Sequence, residues 1–117
     1  MATDLGGNEK LQRFSRLLSE LNHQTAEAFS TGKISIFHDM NKTILAMYAI
    51  QHYEKEEAYT AIEEDCTIIY ENFNAIIAML KSSENPTTDE HASKAIKKFL
   101  QNVFDANIRI LTAYGLI

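Results

Sequence analysis

Residues that break helices are scarce in this chain and stand at a few sites. Glycine occurs only at positions 6, 7, 32 and 115, and proline only at 86. Such sparse punctuation suits long helices and not short strands, which need turn residues every ~10 positions. Between the breakers the apolar residues keep helical time. Leu11, Phe14, Leu18, Leu21, Thr25 and Ala28 step by threes and fours, and Phe37, Met40, Ile44 and Met47 repeat the pattern. Tyr59, Ile62, Cys66, Ile69, Phe73, Ile76 and Leu80 make a third series, and Ala92, Ile96, Phe99, Val103, Ala106 and Ile110 a fourth. This spacing lays one apolar stripe along each segment, the seam of a helical bundle.

The segment ends agree with the stripes. Asn8 and Ser35 are expected N-caps, Gly32 and Gly115 expected left-handed closing residues. Asn85-Pro86 is expected to stop the third long helix, and Thr87 with Glu90 forms a capping-box pattern for the last. Asp89 and Glu90 then lie in a first turn, where the helix dipole favours negative charge. Residues 35–81 contain neither Gly nor Pro, so two readings compete. A bend near 53–59, where Thr60 and Glu63 offer another capping box, gives an all-α antiparallel up-down four-helix bundle. A continuous helix over 35–81 would be ~70 Å long at 1.5 Å per residue, and its uncovered stripe would require a dimer. Residues 1–7 are expected to be a flexible leader and 8–117 one helical domain.

Composition removes several classes of function. A formal net charge of -5 disfavours binding to a phosphate backbone, so no nucleic-acid partner is expected. No apolar run approaches a membrane span, and the N-terminus lacks the apolar core of a signal peptide. One cysteine allows no internal disulfide, which fits a cytoplasmic setting. Asn41-Lys42-Thr43 is a formal glycosylation sequon that matters only if the chain is secreted.

Charge is uneven. Residues 54–71 hold seven acids (Glu54, Glu56, Glu57, Glu63, Glu64, Asp65 and Glu71) against Lys55 alone. They read either as a solvated corner or as a landing surface that steers a basic protein. Bundles also host carboxylate–histidine metal centres. The chain has one Glu-x-x-His motif (Glu20, His23) and a His52/Glu56 pair at i, i+4, but its stripes are apolar, so neither metal nor cofactor is expected.

His91-Ala92-Ser93-Lys94-Ala95 resembles the phosphorylatable segment of histidine phosphotransfer domains. The resemblance implies a phosphoryl-accepting His91 supported by Lys94 in a signalling bundle. It covers five residues, and Ala95 stands where that family has glycine. Cys66 occupies a core step with no base to activate it, which reads as a small buried hydrophobe. His38 and His52 lie two heptads apart and read as surface or boundary residues. No phosphate loop, nucleophile elbow or zinc cluster is present, and no catalysis is expected.

The last helix carries a second apolar row, Leu100, Phe104, Ile108 and Leu111. That row either touches a second neighbouring helix or forms a docking groove with Phe104 as anchor. Together these features lead us to expect a non-catalytic protein-interaction module: a small adaptor, export chaperone or regulatory antagonist. Leu100, Phe104, Ile108 and Leu111 would supply affinity and Glu56, Glu57, Glu63, Glu64 and Asp65 steering. Its partner is another protein or, in a homo-oligomer, a second copy.

Overall fold

A computed structural model describes residues 9–53, 57–82 and 90–117, without the side chains of 53, 57 and 58. In chain order the helices are α1 (Glu9–Thr31), α2 (Ile34–Tyr53), α3 (Glu57–Thr60), α4 (Glu63–Ser82) and α5 (Glu90–Ala113). The four long helices form an all-α bundle, and α3 is a single turn at one end. The longest dimension is 46 Å, which excludes a ~70 Å helix over 35–81. The expected leader, the Asn8 cap and the Asn85-Pro86-Thr87 signals lie outside the described residues.

Cross-helix contacts give the directions. Asp65 meets Arg109 and Asn72 meets Asn102, so α4 and α5 run antiparallel. Tyr70 meets Gln51 while α4 starts beside the end of α2, so that pair is antiparallel as well. α1 packs on α2 and α5, α4 packs on α5, and α2 touches α4 only thinly. The ring of helices is therefore closed firmly on three sides and loosely on the fourth.

Both expected glycine closures are present. Gly32 has φ 65° and donates its N–H to the Ala28 carbonyl at 2.9 Å, sealing α1. Gly115 has φ 71°, and its neighbour Leu116 donates back to the Leu111 carbonyl at 2.9 Å, a Schellman closure. Two starts differ from expectation. Lys33, not Ser35, supplies the carbonyl for the first bond of α2, taken by Ile36 N–H at 3.1 Å. Ile62, not Thr60, supplies that for α4, taken by Cys66 N–H at 3.0 Å.

Every stripe residue of α1 and α2 named above is buried, as are Tyr59, Ile62, Cys66, Ile69, Phe73 and Ile76. Leu80 is half-buried. Tyr59 enters from α3 and meets Phe14 edge-on, ring centroids 5.5 Å apart, so the short helix plugs that end of the bundle. On α5 the expected Ala92, Ile96, Val103, Ala106 and Ile110 are buried, while at the remaining step Leu100 is buried and Phe99 half-buried. Asn107 is fully buried and donates Nδ2 to the Leu18 carbonyl at 2.9 Å, fixing α5 against α1.

Candidate functional site

The second row of α5 does not form one groove. Leu100 and Leu111 are 1% and 2% exposed, so no partner reaches them while the bundle is intact. They are core residues because α5 packs on two helices, α1 and α4, and needs two apolar rows to do so. Only Phe104 and Ile108 remain half-buried, and Ile108 packs against the core.

The acidic residues are also dispersed in role. Glu63, Glu64 and Asp65 form the first turn of α4, where carboxylates oppose the positive end of the helix dipole. Asp65 is committed further, accepting from Arg109 Nε at 2.8 Å across the α4–α5 seam. Glu63 and Glu64 stay exposed. Glu56 and the Glu57 side chain lie outside the described residues.

The histidine motifs are not brought together. His23 lies on the outer side of α1 with Nε2 2.8 Å from Glu27 Oε1, and Glu20 accepts from Gln24. His91 is exposed in the first turn of α5, and Lys94 reaches back toward Glu90 at 3.7 Å. Among the described residues, no group of three or more His, Cys, Asp or Glu side chains is placed to hold a metal ion, and no helix is long and apolar enough to cross a membrane.

The loosely closed side of the bundle holds what the sequence reading missed. There α2, α3 and α4 enclose a cleft of about 300 Å³ lined by Tyr48, Gln51, His52, Tyr59, Thr60, Glu63, Thr67 and Tyr70. Tyr48 and His52, one turn apart on α2, stack with centroids 5.5 Å apart and planes 19° apart. Tyr70 of α4 stands nearly perpendicular to Tyr48, at 5.4 Å and 80°. Its hydroxyl donates to Gln51 Oε1 at 2.7 Å, locking the two helices together where their packing is thin.

Burial governs the chemistry of this end. It pushes the Cys66 thiol up to about 12, with the nearby carboxylates of Asp65 and Glu63 adding to the rise and a hydrogen bond involving Tyr70 opposing it. Tyr70 and Tyr114 are raised for the same first cause, with Cys66 adding to both. These shifts favour the protonated forms, in which the Tyr70 hydroxyl is a hydrogen-bond donor.

Beside the cleft, α2 exposes three large apolar side chains among polar ones. Leu45 is 59% exposed and Tyr48 49%, with Ile34 exposed at the same helix's start. Ile34, His38, Asn41, Leu45, Tyr48 and His52 step by four, three, four, three and four, a second heptad-like row behind the one that fills the core. That repeat was the available sequence signal. Comparison with known protein families, with curated proteins and with solved structures returns no match.

Proposed function

We propose that this chain is a non-catalytic protein-interaction module whose docking face is the outward side of α2 with the adjoining α2–α4 cleft. The observation that carries the reading is the exposure of Ile34, Leu45 and Tyr48 on one row of α2. Phe37, Met40, Ile44 and Met47 already fill the core, which leaves Leu45 and about half of Tyr48 open to solvent. A row at heptad spacing suits an amphipathic helix laid alongside it. The exposed carboxylate of Glu63 at the cleft, with the exposed Glu64 next to it in sequence, favours a helix with basic residues on its flank.

An adaptor, export chaperone or regulatory antagonist working in the cytoplasm would use such a face, and the free, buried thiol of Cys66 is compatible with a reducing compartment. The half-buried Phe104 and Ile108 are a second, smaller apolar spot on another side of the bundle. Affinity capture with wild type, Leu45→Gln and Phe104→Ala distinguishes the two. A helical, basic partner should be retained by wild type and Phe104→Ala and lost with Leu45→Gln, all three chains being folded. Retention by Leu45→Gln and loss with Phe104→Ala would move the docking face to α5. A dimer of this chain that Leu45→Gln dissociates would make the occupant a second copy.

A further inference from the structure

We infer that the α2–α3–α4 cleft is an aromatic cage for a guanidinium group, the side chain of an arginine carried by the basic partner. The inference rests on the interaction reading above and specifies what the partner inserts. Tyr48 and Tyr70 form two walls close to a right angle, and the stacked His52 ring holds Tyr48 in place. Tyr59, almost wholly buried, lines the same cleft from α3. Two π-rich rings set at a corner of one small cavity attract a cation through their quadrupoles, most of all a planar one that can stack.

The polar lining has the matching bias. Among the described residues no lysine or arginine lines the cleft, and Glu63 adds a carboxylate at its exposed rim. The Thr67 hydroxyl donates to the Glu63 carbonyl at 3.0 Å and the Tyr70 hydroxyl to Gln51 at 2.7 Å, so neither of those protons is offered to an anion. A volume of about 300 Å³ is at the small end for ligand pockets and suits one side-chain head group better than a cofactor. A carboxylate beside aromatic faces selects arginine over lysine, because guanidinium can both stack and bridge two carboxylate oxygens.

The test uses N-acetyl-arginine amide as probe against the intact chain, read by the aromatic carbon–proton NMR signals of the tyrosine and His52 rings. N-acetyl-citrulline amide, its neutral isostere, is the control. Expected is a saturable shift of Tyr48 and Tyr70 with arginine and at least several-fold weaker binding of citrulline. Tyr48→Leu and Glu63→Gln, both at exposed positions, should each weaken arginine binding roughly two- to five-fold. Equal binding of citrulline, shifts that never saturate, or a Tyr48→Leu variant with unchanged affinity would each overturn the cage. The probe carries no helix, so Leu45→Gln should leave it bound while releasing the partner. Loss of arginine binding with partner capture intact would refute the cage alone, and the converse would refute the docking face alone.

Discussion

The two seams of α4 are built differently. Toward α5 it is tied along its length: Asp65 to Arg109, Asn72 to Asn102, and a shared apolar core between them. Toward α2 it is tied chiefly at one end, by Tyr70 and Gln51 and the tyrosine rings around them. The first seam contributes to folding. At the second, large side chains are left partly uncovered, and a cleft stands where packing would otherwise be.

Breaking the closed part should have the largest effect. Phe73→Ala, at a buried α4 position, is expected to cost about 3–5 kcal/mol in denaturant unfolding. A loss below ~1 kcal/mol would mean that the α4–α5 seam is not the structural one. Alkaline pH should act next, at the tyrosine-rich end. Folding raises Cys66, Tyr70 and Tyr114 above their ordinary values, so the folded chain holds protons that the unfolded chain releases. Their contribution is complete below about pH 9, the ordinary Cys66 value, and is lost as pH climbs toward about 12. The thermal midpoint should therefore fall through that window, and Cys66→Ala should flatten the early part of the fall.

Smaller effects sharpen the contrast. Arg109→Ala removes a partly exposed ion pair and is expected to cost only ~0.2–1 kcal/mol, a loss that salt should diminish. Leu45→Gln, exposed on α2, should change stability by no more than ~0.5 kcal/mol while removing partner binding. A large destabilisation there would show that the outer row of α2 belongs to the core.

Much of the fold was legible because its constraints are local. Gly32 and Gly115 stand where φ must be positive, and the apolar stripes of α1 and α2 identified their buried residues. On α5 five of the six stripe residues are buried as expected and only Phe99 is displaced, by Leu100, because a helix that touches two neighbours has two candidate rows and periodicity alone does not rank them. For the same reason Leu100 and Leu111 fitted either contact with a second helix or a docking groove, and their burial decides for the first. The cleft was hidden for a different cause. Tyr48, Tyr59 and Tyr70 are distant in sequence and meet only because the chain turns between α2 and α4, a bend whose geometry no spacing rule supplies.

The most direct test of the docking face is hydroxyl-radical footprinting of the chain alone and bound to its captured partner. We expect Leu45 and Tyr48 to lose reactivity in the complex while Phe104 and Ile108 keep theirs. Protection of Phe104 and Ile108 with Leu45 and Tyr48 unchanged would contradict the account and place binding on α5.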